Sequence, residues 1–502
     1  MANASADTIS LKALVNKERN QIMFIESEND FIDVVLSFLT IPMGTIIRLA
    51  PNQSVPLEIG CMKNLYASVE NMDVKHFRHK ACRDMLLCPP NGAELRSDAC
   101  REMLLLPHNA AGSHCKNLVL QIDHNVKPTQ YFVCSFCCLN TATRKFFRWI
   151  YRGNERQLLA IQDGDFFVTG LARLIISDDL QLMPPLTTES LSVFSELGVM
   201  NGSTTEEVTF NVGSDEVLKL LVCSLASKTP LTETLLKNKP IRKLTNENQV
   251  IDFAPEIAEG TTNPNGNISV KLIVSKSKKM VCYAEVREDF VSLLLSFLTI
   301  PLGFIVNKMR DCSLKGCISQ VFKSVQDLDN HYISNYHKEI LLSPKLAPGC
   351  CYDNHLLGIE EATFYYAGSC YAGSYFSYKL STNKTLIASS ISAAEGPIKS
   401  MKVMGPKSYQ DQDKGVKGQG FLGPAMFTVT DDLIIRPISL ILGLSLLNEL
   451  KVPSTDIEAK IVHVGKEEAL RLLVASFVCD SALTNVFIRE PKQNKGPRQE
   501  QS

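Results

Sequence analysis

Leu36-Ser37-Phe38-Leu39-Thr40-Ile41-Pro42-Met43-Gly44 returns at Leu295 to Gly303 with one change, Met43 becoming Leu302. The chain therefore reads as a tandem duplication. Each copy stands at the same place in a longer pattern. An apolar stretch (Leu11 to Val15; Val270 to Val274) and a short charged turn lead to a second apolar stretch (Ile22 to Ile25; Met280 to Ala284), an acidic residue and the nonamer. Short apolar runs broken by Lys/Asn/Ser turns predict a hairpin. Phe31, Val34, Val35, Phe38 and Leu39 then recur at helical spacing, with Asp30 as the expected N-cap. Pro42 limits that helix, and Gly44 is expected to take the left-handed turn after it. The predicted unit is strand, strand, helix, turn.

Most of the nonamer is small or apolar and none of it titrates, so a buried helix fits it better than a ligand cradle at the Pro-x-Gly turn. Phe290 to Val306 carries no charge, which raises a membrane span. The stretch contains Pro301, falls short of the roughly 18 apolar residues a span needs, and its first-half counterpart carries Asp33. Buried core is the reading that remains.

The likeness between the halves runs on. Gly60-Cys61 recurs as Gly316-Cys317, Ser68-Val69 as Ser324-Val325, and Leu86-Leu87-Cys88-Pro89 as Leu341-Leu342-Ser343-Pro344. Ser177-Asp178-Asp179-Leu180 recurs as Thr430-Asp431-Asp432-Leu433, and Val208 to Leu225 as Ile461 to Phe477. In the last pair, Val212-Gly213-Ser214 and Val464-Gly465-Lys466 each read as a strand running into a capped helix. The fold expected is α+β, a tandem duplication of a strand-strand-helix containing domain in two homologous halves with approximate twofold symmetry. The first repeat domain is expected over 8–236, a Lys/Asn/Pro/Gly-rich linker over 237–267, the second repeat domain over 268–489 and a polar tail over 490–502. A smaller echo, Ala81 to Leu87 in Ala99 to Leu105, occurs only in the first half, so Pro89 to Arg101 is expected to loop out at the surface. Ser400 to Gly420 is expected to be loose.

The chain has 52 Lys plus Arg against 53 Asp plus Glu, a formal charge of -1, so no global field draws nucleic acid or an anionic membrane. The first ten residues lack a basic and apolar leader, and an intracellular protein, cytoplasmic or nuclear, is expected. Its 16 cysteines are then thiols or metal ligands rather than a disulfide framework.

Gly60-Cys61 with Leu65-Tyr66 and Ser68-Val69, Ile175 to Pro184, Ser224 to Thr232 and the nonamer together resemble a plant family catalogued as domain of unknown function 674, nearly the whole chain twice over. The resemblance implies a plant source and brings no activity, cofactor or catalytic residues with it. Members tend to show two cysteine pairs, similar to a zinc ribbon. Cys134 with Cys137 or Cys138 matches the first pair, Arg148 to Gly153 holds no second pair, and the second half keeps only Cys370.

Cys134, Cys137 and Cys138 are the candidate metal ligands, for zinc, which needs two further ligands such as Cys115, His114 or Cys61. The competing reading is buried thiols beside Phe132 and Phe136. The doubled acids Asp178-Asp179 and Asp431-Asp432 follow apolar strands, a place for a divalent cation or a general base. Adjacent strand residues point to opposite faces, so an Asp-rich turn bonding backbone amides fits better. No phosphate-binding glycine loop and no Ser/His/Asp grouping appears. The expectation is a noncatalytic binding or scaffold protein with an unidentified protein partner, no assigned catalytic residue and no membrane or nucleic-acid role. The alternatives are a metal-dependent hydrolase built on the paired aspartates and a degenerate zinc-dependent nucleic-acid binder.

Overall fold

A computed structural model describes residues 8–52, 57–93, 121–122, 130–132, 159–160, 167–168, 174–187, 205–236, 268–309, 316–347, 350, 356–371, 375–381, 398–404 and 420–489, less a few single positions within those stretches. In the first half, β1 (Ile9–Asn16) and β2 (Gln21–Ser27) form the predicted hairpin. β6 (Leu174–Ser177), β7 (Leu182–Met183) and β8 (Thr205–Val212) extend it into an antiparallel sheet of order β7-β6-β2-β1-β8. In the second half β9 (Ile268–Ser275), β10 (Met280–Arg287), β14 (Met426–Thr430), β15 (Ile435–Pro437) and β16 (Ile457–Val464) give β15-β14-β10-β9-β16. The two orders correspond strand for strand.

A third sheet is built from both halves. Its strands are β3 (Gln121–Ile122), β4 (Gln130–Phe132) and β5 (Leu159–Ala160) with β11 (Phe364–Tyr371), β12 (Tyr375–Ser381) and β13 (Lys399–Met404). β4 lies parallel to β13 and β5 parallel to β12. Residues 400–404 of the segment expected to be loose thus belong to a paired strand; 405–419 lie outside the described residues, as do the expected linker and tail.

Among the described residues, the first-half helices are α1 (Asn29–Ser37), α2 (Met43–Leu49), α3 (Met62–Asn71), α4 (Lys80–Leu87), α5 (Ser214–Ala226) and α6 (Pro230–Leu235). Those of the second half are α7 (Glu288–Ser296), α8 (Leu302–Lys308), α9 (Ile318–Asp327), α10 (Asn335–Leu342), α11 (Leu440–Glu449), α12 (Lys466–Val478) and α13 (Ala482–Phe487). Asp30 lies inside the first turn of α1 rather than before it. At the starts of α5 and α12 the Glu216 and Glu468 carboxylates accept the backbone N–H of Gly213 and Gly465 at 3.0 and 2.9 Å, so a side chain three residues on closes each end.

The nonamer is helix, a 3-10 turn at Phe38–Thr40, an extended Ile41, and a second helix that Pro42 caps. Gly44 is the second residue of α2 and not a left-handed turn. A Cβ there would lie 2.8 Å from the Leu86 carbonyl and 3.1 Å from that of Leu298, while one on Gly303 would lie 2.8 Å from Leu39 O and 2.9 Å from Leu341 O. Glycine is required because a neighbouring backbone from each half passes where a side chain would stand.

The nonamers meet each other. Met43 N–H donates to Ile300 O and Leu302 N–H to Ile41 O, both at 3.0 Å, around an antiparallel bridge of Pro42 and Pro301. Neither proline has an N–H to give, so the residue after each supplies the donor. Both nonamers are buried throughout, and one continuous apolar core takes in residues of both halves. Further contacts pair off similarly: Ser68 Oγ of α3 accepts Ile435 N–H of β15, and Ser324 Oγ of α9 accepts Leu182 N–H of β7, each at 2.9 Å. Pro89, Pro90 and Gly92 are buried against this core, with Pro89 O accepting the Thr45 hydroxyl at 3.1 Å, so the expected surface loop does not begin at Pro89. The rest of it, from 94 on, lies outside the described residues.

Candidate functional site

The doubled acids sit in tight turns between β6 and β7 and between β14 and β15. Leu180 N–H donates to Ser177 O and Leu433 N–H to Thr430 O, both at 2.9 Å. Both leucines have φ of 62°, a left-handed conformation that a bulky side chain adopts at a cost. Each is fully buried, and that burial offsets the strain.

Asp178 reaches a helix far along the chain. Its carboxylate accepts Thr232 N–H at 2.9 Å and the Thr232 hydroxyl at 2.8 Å, and also Gln21 Nε2 at 3.0 Å. Thr232 Oγ1 in turn accepts Ile22 N–H at 2.8 Å. Asp431 does the same with Thr484, at 2.7 Å for both bonds, while Thr484 Oγ1 accepts Val281 N–H at 2.8 Å. Thr232 and Thr484 are the third residues of α6 and α13, where backbone donors have no partner within the helix. The first aspartate of each pair therefore closes a helix start and fastens it to the hairpin. The second closes its own turn: Ser177 Oγ donates to Asp179, and Thr430 Oγ1 to Asp432. The turn reading expected nearby backbone amides as partners; the first acid of each pair instead takes an amide of a distant helix, and the second takes a hydroxyl of its own turn.

Burial pushes both Asp178 and Asp431 up to about 6, against the lowering effect of the threonine bonds. Asn64 Nδ2 of α3 donates across to Asp432 O at 2.7 Å and Oδ2 at 3.2 Å, so this turn also lies where the halves touch. A cleft of about 150 Å³ between Gly92, Tyr336, Glu339, Lys345 and Tyr365 is lined by none of the four aspartates.

Among the described residues no three His, Cys, Asp or Glu side chains are grouped to hold a metal. Cys134, Cys137 and Cys138 lie outside the described residues, together with Cys115 and His114. Cys61 is buried at the junction of the halves, its thiol donating to Cys479 O at 2.9 Å, and desolvation holds that thiol well above its ordinary range. His76 stands edge-on to Phe427.

Sequence reasoning did not single out a second junction. Asp33, 1% exposed on α1, accepts Phe167 N–H at 2.9 Å, while His337 Nδ1–H of α10 donates to Phe167 O at 3.0 Å. One peptide segment is thus clamped by a carboxyl from one half and an imidazole from the other. Desolvation raises Asp33 to about 8, the bonds from Phe167 and Val168 opposing it and Asp30 adding to it. The signal was a single acid within an apolar run. Three residues before the other nonamer stands Ser292, whose buried hydroxyl has no partner among the described residues.

A family model described as Protein of unknown function (DUF674) matches residues 5–96 and 91–467. No curated protein and no solved structure matches the chain.

Proposed function

The chain belongs to that family, and from this premise we propose that it is a noncatalytic intracellular binding or scaffold protein, a tandem duplication whose halves pack about an approximate twofold axis through the Pro42–Pro301 bridge. The occupied carboxylates carry the reading. Asp178 and Asp431, the acids best placed for chemistry, spend both oxygens on a helix start. A general base or cation ligand needs an oxygen directed at substrate or metal. The reciprocal bonds between Ile41, Met43, Ile300 and Leu302 support the twofold arrangement. A protein partner, and no resident cofactor, follows from the same reading.

The test is affinity capture with the full chain, alongside elemental analysis of the purified protein. A specific protein partner with sub-stoichiometric metal is the expected outcome. Stoichiometric zinc lost on Cys134→Ser would overturn the noncatalytic scaffold in favour of a metal centre.

A further inference from the structure

Helix α11, Leu-Ile-Leu-Gly-Leu-Ser-Leu-Leu-Asn-Glu, has more apolar residues than one buried face can use. It packs against β10 of the second sheet. Gly443 faces the Tyr283 hydroxyl of β10 so closely that a Cβ would stand 3.0 Å from it, and Leu447 packs with Cys282 and Val452. The flank beside that stripe is bare at the N-terminal end: Leu440 is 81% exposed, Ile441 78% and Leu444 54%, with Ile438 at 44% just before the helix. Positions 440, 441 and 444 share one face at the N-terminal end. Exposed apolar side chains scattered singly are ordinary, but a contiguous group marks an interaction site.

The other end of α11 is cationic. Lys278 Nζ of the β9–β10 turn donates to Leu450 O at 2.6 Å, which sets the turn that carries Lys276, Lys278 and Lys279 beside the helix C-terminus, where Lys451 follows. The acids beside them are Glu449 and Asp456, and Asp456 already accepts Ser277 N–H and the hydroxyls of Ser275 and Ser277. A ten-residue helix is about 15 Å long, so an apolar patch and a positive one lie about that far apart on one surface.

We propose that α11 and the Lys276–Lys279 turn form a docking surface for an acidic amphipathic helix of a partner protein. This rests on the binding-protein reading and names the chemistry of the partner. Charge complementarity selects the occupant: apolar residues one turn apart fit Leu440, Ile441 and Leu444, and carboxylates two or three turns further on meet the lysines. A second copy of the same surface would either match the leucines while setting lysines against lysines, or set lysines against leucines at both ends, so only an acidic partner satisfies both patches.

The probe is a labelled amphipathic peptide of about 16 residues, roughly 24 Å as a helix, with leucines at one end and glutamates at the other. Its binding to the full chain is followed by fluorescence anisotropy. Micromolar affinity that weakens with salt is expected. Leu440→Ser with Ile441→Ser should weaken binding at least tenfold, and Lys276→Glu with Lys279→Glu about tenfold with loss of the salt dependence, both at an unchanged urea midpoint. The proposal is overturned by equal binding of a peptide with lysine in place of glutamate, or by no binding at millimolar peptide. It is also overturned if the leucine and isoleucine variant lowers the oligomeric state, making a second copy the occupant, or if anionic phospholipid vesicles retain the chain and the peptide does not compete. Cross-links within the isolated chain from Lys278 or Lys279 to Glu247, Asp252, Glu256 or Glu259 overturn it too, by making residues 246–259 the occupant. If affinity-captured partners survive both double variants, this surface fails while the binding-protein reading stands.

Discussion

A carboxyl that is more acidic unfolded than folded makes folding weaken as pH rises. Asp33, Asp178 and Asp431 all belong to this kind, raised by burial from 3.8 to about 8, about 6 and about 6. Below pH about 4 each is neutral in both states and imposes no penalty; the penalty grows as pH climbs toward the folded value and is constant above it. Urea midpoints should therefore fall between pH 4 and 6 from all three, and between 6 and 8 from Asp33 alone. Asp33→Asn keeps an acceptor for Phe167 N–H and should flatten the 6 to 8 portion; an unaltered slope would mean the carboxyl ionises outside that window. Ser292 holds a buried hydroxyl with no partner among the described residues. Removing it leaves no polar atom orphaned, so Ser292→Ala should be neutral or stabilise by up to about 1 kcal/mol in chemical denaturation, whereas most buried polar deletions destabilise.

At the scale of elements, the joint between α1 and α2 is set by backbone packed against backbone. Adding a methyl at Gly44 or Gly303 forces it against two carbonyls at 2.8 to 3.1 Å, and neither carbonyl can rotate away. Gly44→Ala and Gly303→Ala should each cost about 1–3 kcal/mol by urea denaturation, the overpacking range, and the double variant more than either. Gly423→Ala, whose nearest neighbour would be His76 O at 3.8 Å, is the control expected to change little. The hairpins, the Gly213 and Gly465 helix starts and the buried character of the nonamer were legible, because period and capping are local properties of the chain. Gly44 was misread, since a glycine needed for space and one needed for φ look alike in sequence. The doubled acids were half legible: a turn follows from Asp-Asp, but nothing local shows that Asp178 will find Thr232 or Asp431 find Thr484. The clamp on Phe167 was invisible for the same reason, its three partners being far apart in the chain.

For the whole molecule, the question is whether a half can exist alone. Each nonamer is fully enclosed only because the other half covers it, and Ile41 O and Ile300 O find their donors across the junction. Gly60 packs on the end of α12 and Gly316 on the end of α5, so each half also holds the other's long helix. The third sheet adds parallel pairing of β4 with β13 and of β5 with β12. Cutting the chain would expose Leu39, Ile41, Leu298 and Ile300, each losing about 1.5–3 kcal/mol of apolar burial, while the backbone groups that bond across the junction would turn to water. That is a large part of the 5–15 kcal/mol a domain ordinarily has. Residues 1–250 and 251–502 expressed separately should therefore be insoluble or associate, and expressed together should co-purify as a one-to-one complex with the circular dichroism of the intact chain. Two halves that each unfold cooperatively as monomers, with midpoints matching the full chain, would show that the junction contributes little. The contacts around Pro42 and Pro301 would then be a surface where finished domains touch, and the core would have to be counted as two.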